Sequence, residues 1–178
     1  MIFTEQEKRR SAIETVAEKM MIAARTAPKA RGTDNLSICM VTGEDILKLA
    51  AELEKLGKEA GLDFFLRDSA CVASSEAVVL IGTANKPLGL DCGYCGFPSC
   101  AAKCSASPMT PCIFNSNDLG IAVGSAVSIA ADNRVDNRVM FSAGVAASSL
   151  GMLPDCCYIL AIPLSCSGKS RFFDRPAL

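Results

Sequence analysis

The chain has 178 residues, half of them hydrophobic, and its formal net charge at neutral pH is −1. This length suits one domain with a sizeable core. A chain so close to neutrality lacks the basic surface that attracts nucleic acids or anionic membranes, and no apolar run approaches the roughly 20 residues of a membrane-spanning helix. The first residues are polar and charged, unlike a secretory signal, so we expect a cytoplasmic protein.

The sequence contains no histidine and no tryptophan, but it contains ten cysteines. The lack of histidine excludes Ser-His-Asp and Cys-His catalysis, histidine-ligated zinc and Rieske-type clusters. In a chain without a secretory signal, clustered cysteines indicate metal ligands or redox groups rather than disulfides. Three cysteines outside the main group, Cys39, Cys156 and Cys157, stand beside apolar runs and are predicted to be buried small hydrophobes.

Helical and extended segments alternate in the first half of the chain. Thr4 is predicted to cap the first helix, and Pro28 to end it. Apolar residues recur at helical spacing in the helices, whereas short continuous apolar runs indicate buried strands. The sequence around Phe64 is compatible with either a short strand or the start of a helix. The predicted elements are a helix at 4–26, a strand at 36–41, a helix at 44–61 and a strand at 78–81.

Two more helices and one strand are predicted in the second half. Asp118 is expected to cap a helix in which Gly120, Gly124 and Ser128 fall four residues apart on one face. Small residues at this spacing allow a second backbone to approach closely, as in a tight core or a dimer interface. The repeated DNR that follows indicates a solvated helix face or a helix junction. The predicted elements are helices at 119–131 and 139–150 and a strand at 158–163, followed by a polar tail.

This order of elements predicts an α+β fold in which helices pack on a small central sheet. We expect a single domain over 1–178 with an inserted cysteine-rich loop at 89–117. The loop stands between the predicted strand at 78–81 and the small-residue helix. The rest of the chain is therefore expected to act as the scaffold that carries the loop.

The cysteine-rich loop has the spacing of a metal site. Its sequence, GLDCGYCGFPSCAAKCSASPMTPC, contains Cys92-x2-Cys95-x4-Cys100, then Cys104 and Cys112. A Cys-x2-Cys turn delivers two converging thiolates, and its glycines permit the positive φ angles and close backbone approach that sulfides need. An iron–sulfur cluster needs about four thiolates, so the fourth ligand is Cys104 or Cys112. We favour Cys112, because a returning loop surrounds a cluster better than one helix does.

Zinc is the alternative metal, although four-cysteine zinc sites usually contain two Cys-x2-Cys pairs and this loop contains one. Three functions therefore stay open: an iron–sulfur redox protein that passes single electrons, a zinc-stabilised structural or interaction domain, and a cluster carrier or sensor without enzyme activity. The loops PKARG and GKSR are cationic. These loops are either solvated or able to bind a phosphate.

The motif CGYCGFPSC with a later cysteine resembles the 4Fe-4S domain of ferredoxin-like subunits in ion-pumping electron-transport complexes and of corrinoid iron–sulfur proteins. This resemblance covers only the cysteine-rich loop. It implies a 4Fe-4S cluster held by Cys92, Cys95, Cys100 and Cys112, with Cys104 as the other choice for the fourth ligand.

Most of the chain resembles a family of uncharacterised prokaryotic proteins that contain a ferredoxin domain and, more distantly, the FMN nitroreductases. The resemblance is carried by AARTAPKARGTDN, DLGIAVGSAVSIAA, GVAASSLGML and YILAIPLSCSGKSRFFDR. It implies a nitroreductase-like fold, a homodimer with FMN at its interface, and a flavin- or ferredoxin-linked oxidoreductase with a redox partner protein. The residues that it implies face the flavin or its phosphate are Arg25, Lys29, Arg31, Asn35, Lys169 and Arg171.

Overall fold

The computed structural model describes residues 1–106 and 110–173 and has an α+β fold. Six α-helices in this part of the chain surround one four-stranded sheet. None of these helices is both long and apolar enough to cross a membrane. The helices are α1 (Glu5–Thr26), α2 (Glu44–Ala60), α3 (Asp63–Ala73), α4 (Cys100–Ala106), α5 (Ile113–Asp132) and α6 (Phe141–Ser149), and the strands are β1 (Leu36–Val41), β2 (Ala77–Thr83), β3 (Asp136–Asn137) and β4 (Tyr158–Ser165).

Local sequence accounts for the ends of the first two helices. The Thr4 hydroxyl accepts the N–H of Glu7, and the Glu7 carboxylate accepts the N–H of Thr4, which forms a capping box at the start of α1. This arrangement satisfies two amide donors that a helix N-terminus leaves open. Gly61 is the C-cap residue of α2, and its φ of 66° places it in the left-handed region that glycine adopts without strain. Both helices confirm the predicted elements.

The sheet lies between two hydrophobic cores. Its strands are antiparallel and follow the order β1-β2-β4-β3. Side chains alternate along the central strand β2: Val78 and Leu80 join the core beneath α2, α3 and α6, whereas Val79 and Ile81 join the core beneath α1 and α5. Because both faces of β2 are covered, its sequence is a continuous apolar run rather than an alternating one.

The strand register determines which loops lie at the same end of the sheet. Thr83, at the end of β2, pairs with Leu36 at the start of β1 and with Tyr158 at the start of β4. The PKARG loop before β1 and the cysteine-rich loop after β2 therefore lie at the same end of the sheet. Leu164 pairs with Ala77 at the other end, where the chain leaves β4 for the tail. The seven residues of β2 separate the two ends by roughly 20 Å.

The prediction that Asp118 caps a helix is wrong. Helix α5 begins earlier, at Ile113, with Cys112 as its N-cap residue. Asp118 is buried inside the helix, and its Oδ1 accepts the N–H of Ala30 at 3.0 Å. An acidic residue one turn into a helix resembles a cap in the sequence, but here its partner comes from a loop 88 residues away.

The DNR repeat lies at the junction between α5 and α6, as one of its two interpretations predicted, and the other interpretation, a helix face, is wrong. Arg134 has a φ of 59°, which ends helical geometry, and the next residues form the short strand β3. Asp136 pairs with Ser165 and Asn137 with Leu164 at the edge of the sheet. A two-residue strand has no periodicity of its own, so only its pairing with β4 reveals it. The ambiguous segment around Phe64 forms the helix α3.

Candidate metal centre

The cysteine-rich loop begins with a tight turn around its first two cysteines. Gly93 and Gly96 have φ angles of 73° and 85°, and the Gly96 N–H donates to the Gly93 carbonyl at 2.9 Å. Glycine adopts this left-handed region without the steric cost that a Cβ imposes. The turn between Cys92 and Cys95 therefore has the backbone geometry predicted for a Cys-x2-Cys motif.

The third cysteine begins a short helix whose first turn is held in place from two sides. The Ser99 hydroxyl accepts the N–H of Ala102 at 3.1 Å, which caps α4. The Cys100 N–H donates to Oδ1 of Asp91 at 2.6 Å. Because Asp91 directly precedes Cys92, this bond joins the start of α4 to the start of the Cys-x2-Cys turn.

Four of the five loop cysteines surround one narrow cavity. Cys92, Cys95 and Cys100 line it together with Cys112, which comes from the N-cap position of α5 and is buried. Cys104 is exposed and is not among the lining residues. The structure thus brings together the four thiols predicted to be ligands. Residues 107–109, within the predicted insertion, lie outside the described residues.

The cavity offers thiol ligands. The ten cysteines, all of them within the described residues, form no disulfide. In the described part of the chain, no group of three or more Cys, Asp or Glu side chains meets at a point suited to a single metal ion. A zinc ion needs four ligands at about 2.0–2.3 Å from one point, whereas an iron–sulfur cluster takes its thiolates at separate iron atoms. Thiols placed around a common cavity are the donor set that a cluster requires.

A buried cation lines the same cavity, and the sequence does not single it out. Lys103 lines it with 2% of its surface exposed, and its Nζ donates to Oδ1 of Asn85 at 2.6 Å. The Asn85 amide donates in turn to the carbonyl of Thr110 at 3.2 Å. Asn115 is fully buried, and its Oδ1 accepts the N–H of Lys86. No local pattern marks these residues, because a lysine on a short helix is ordinarily solvated.

One of the residues implied to face a flavin lies beside the cysteine-rich loop. Arg31 has a φ of 57°, and its guanidinium donates to the Leu88 carbonyl at 2.7 Å. Leu88 itself lines the cysteine cavity. Together with the Ala30–Asp118 bond, this contact fastens the PKARG loop to the cysteine-rich loop and to α5.

Three more of these residues lie near the same end of the sheet. Arg25 pairs with Asp34 at 2.6 Å, and the Lys29 ammonium donates to the last carbonyls of α1. Partial burial pushes the pKa of Asp34 upwards, but hydrogen bonds from Arg25 and from the N–H of Leu36 outweigh it and lower the pKa. The amide nitrogen of Asn35 is buried and has no hydrogen-bond partner in the structure.

The last two residues of this set lie elsewhere. Lys169 and Arg171 follow β4 in the tail, and both are exposed. The tail is held to α3 by a contact between the Cys71 thiol and the Arg171 carbonyl at 3.8 Å. One chain therefore does not bring the six residues to a single site. The end of the tail motif, Asp174 and Arg175, lies outside the described residues.

The three cysteines predicted to be buried lie in β1 or directly before β4. Cys156 is buried over Gly82, whereas Cys39 and Cys157 are only half-buried. Burial raises the pKa of the Cys157 thiol, and neighbouring Cys156 adds to that rise, while the ammonium of Lys103 opposes it. Burial likewise raises the pKa of Cys39. Thiols with raised pKa values are poor nucleophiles at neutral pH, so a structural role suits them.

The fold is that of the nitroreductases. The chain is similar to nitroreductase A from Vibrio parahaemolyticus, with 12% identity and a TM-score of 0.57 over 88% of this chain, and it spans 60% of that protein. It is also similar to a nitroreductase family protein from Clostridium novyi, with 16% identity and a TM-score of 0.58, covering 85% of this chain and 73% of the other. An FMN-bound nitroreductase from Desulfitobacterium hafniense gives 11% identity, a TM-score of 0.57 and coverages of 88% and 79%. At such identities the similarity shows the fold alone.

The sequence comparisons define the family more narrowly. A protein of Archaeoglobus fulgidus, described as uncharacterized, is 39% identical over 182 residues, which cover 98% of both chains. A family model described as "uncharacterized protein containing a ferredoxin domain" (DUF2148) matches residues 109–175. This chain belongs to that family of uncharacterised ferredoxin-domain proteins. The family description suggests iron–sulfur electron transfer and names no partner.

Proposed function

We propose that this protein holds a 4Fe-4S cluster and passes single electrons to or from a flavin or a partner protein. The observation that carries the proposal is the cavity lined by Cys92, Cys95, Cys100 and Cys112. When bound, such a cluster takes up and releases one electron at a time. The chain would supply the four thiolates, and the capped start of α4 and the glycine turn would hold their backbones in place.

The test is anaerobic reconstitution with iron and sulfide, followed by metal and flavin analysis. We expect about four iron and four sulfide per chain and the broad visible absorption of a cluster. Reduction should bleach this absorption and produce an electron paramagnetic resonance signal. Colourless protein with about one zinc per chain would instead support a zinc-stabilised structural domain. Cluster transfer to an acceptor protein without retained flavin would support a carrier.

A flavin that contacted both cationic loops would need two copies of the chain. The PKARG loop and the tail leave the sheet at opposite ends, roughly 20 Å apart. We therefore propose that any flavin lies between two protomers, as the resemblance to the nitroreductases implies. Retention of FMN by a dimer, and its loss when the dimer is split, would support this arrangement.

The surface proposed for the dimer is one face of α5. Gly120, Gly124 and Ser128 lie exposed along it, and Ile121 beside them is 44% exposed. A Cβ added at either glycine would meet no atom of the same chain within 4 Å. This flat strip leaves room for the backbone of a second copy, and burying its isoleucine would contribute to association.

We expect Gly124→Glu to convert the dimer into a monomer, because a charge in a close helix contact would be buried without a partner. Size-exclusion chromatography with light scattering measures the change. The matched control is Gly168→Glu, at an exposed position in the tail with open space around it, and it should leave the dimer intact. A wild-type protein that is monomeric at all concentrations would refute the dimer.

A further inference from the structure

A buried lysine lines the cysteine cavity. Lys103 lies on α4 between Cys100 and Cys104, with 2% of its surface exposed, and lines the cavity together with the four cysteines. Lysine is among the residues least often buried, because removing an ammonium from water is costly unless an opposite charge compensates it. The position of Lys103 therefore needs an explanation that the fold by itself does not supply.

No carboxylate in the described part of the chain compensates this charge. Nζ of Lys103 donates to the neutral amide oxygen of Asn85 at 2.6 Å, and Lys103 forms no ion pair among the described residues. The other charged residue that lines the cavity is Asp91, whose Oδ1 accepts the Cys100 N–H. Asn85 does not line the cavity, whereas Lys103 does, so this uncompensated ammonium lies within one side chain's length of the cavity wall.

We propose that Lys103 is the counter-charge of the cluster and raises its reduction potential, an inference that rests on the proposed function. Four thiolate ligands make the site anionic, and reduction adds one electron without breaking a bond or moving a proton. A fixed cation in a site with little water favours the more negative, reduced state. Asn85 positions the ammonium, and its second bond, to Thr110, holds the amide in place.

Other cations near the loop are less suited to this role. The guanidinium of Arg31 donates a hydrogen bond to the Leu88 carbonyl. Arg31 and Lys86 are both exposed. Water and salt screen exposed charges, so they change a potential less than a buried charge near the cavity does. Lys86 lies one residue beyond Asn85, which makes it a matched control for the loss of one positive charge.

The test compares Lys103→Met with Lys86→Met in anaerobic potentiometric titrations of the reconstituted protein. Methionine preserves most of the side-chain volume and removes the charge. We expect Lys103→Met to keep the cluster spectrum. At the same applied potential, its ratio of reduced to oxidised cluster should be at least tenfold lower than in the wild type, which corresponds to a reduction potential lower by 59 mV for a one-electron couple. Lys86→Met should titrate like the wild type.

A second variant covers the case in which Lys103→Met assembles no cluster. Asn85→Asp keeps the lysine and places a carboxylate beside it, so the cavity loses the net charge and the potential should fall as well. An unchanged potential in either loaded variant overturns the inference, as does the absence of a cluster from both, because a charge that only tunes the potential is dispensable for assembly. If the wild-type protein itself binds no iron, it is the proposed function that fails.

Discussion

Replacing Cys112 with serine is expected to abolish the visible absorption of the reconstituted protein and most of its bound iron. Cys112 is buried at the wall of the cavity that Cys92, Cys95 and Cys100 also line. A serine oxygen is a harder ligand than a thiolate and holds iron–sulfur clusters poorly. The measurement is iron and sulfide per chain together with the visible spectrum under anaerobic conditions.

The position of Cys112 makes this substitution a clean test of ligation. Cys112 is the N-cap residue of α5, and its own side chain makes no capping hydrogen bond. Serine is among the preferred N-cap residues, so the helix should be at least as stable after the change. A loss of iron would then report the loss of a ligand rather than unfolding, and far-ultraviolet circular dichroism would verify the folded state.

Cys104→Ser supplies the matched control. Cys104 is exposed on α4 and does not line the cavity, so its replacement should leave iron content and spectrum unchanged. The opposite pattern, with loss in Cys104→Ser and retention in Cys112→Ser, would assign the fourth ligand to α4. Retention of a full cluster in both variants would contradict a site made of four thiolates from this loop.

The second large effect is expected at Gly144, where α6 packs directly on the sheet. A Cβ at this position would lie 1.9 Å from the carbonyl oxygen of Ile159 and 3.3 Å from the nitrogen of Leu160. Both atoms belong to the backbone of β4, which cannot rotate aside as a side chain can. Gly144→Ala should therefore move the helix away from the sheet and lower the free energy of unfolding by about 3 kcal/mol, the upper part of the usual range for overpacking.

The loss of stability in Gly144→Ala would occur although alanine has the higher helix propensity. Alanine is the better helix former by about 1 kcal/mol, so a glycine with no packing role is improved by the change. Gly144→Ala is nevertheless expected to lower the unfolding midpoint in urea, because the clash with β4 outweighs the gain in helix propensity. Equal or higher stability of Gly144→Ala would show that α6 does not approach β4 this closely.

The structure relates the cysteine cavity to only one of the two cationic loops. Arg31 and Ala30 connect the PKARG loop to the cysteine-rich loop and to α5, whereas the tail lies at the other end of the sheet. A redox partner that approached the cavity would therefore meet the PKARG loop of the same chain. The tail could act in the same reaction only through a second protomer.

The fold class and most elements could be predicted from the sequence, because they depend on nearby residues. The apolar run at 78–81, the capping box at Thr4 and the turn glycines around Cys95 each express a local rule of burial, hydrogen bonding or backbone geometry. Their positions along the chain sufficed to predict β2, α1 and the Cys-x2-Cys turn. Predictions failed where no such pattern exists, as for the role of Asp118 and for the short strand β3.

By itself, then, the sequence determined an α+β scaffold and a set of closely spaced thiols suited to a cluster. Only the tertiary structure decided that Cys112 lines the cavity and Cys104 does not, that Lys103 is buried beside them, and that the tail lies far from the PKARG loop. These properties arise from contacts between distant parts of the chain. A side chain's burial and partners depend on what the fold places opposite it, and no local pattern encodes that.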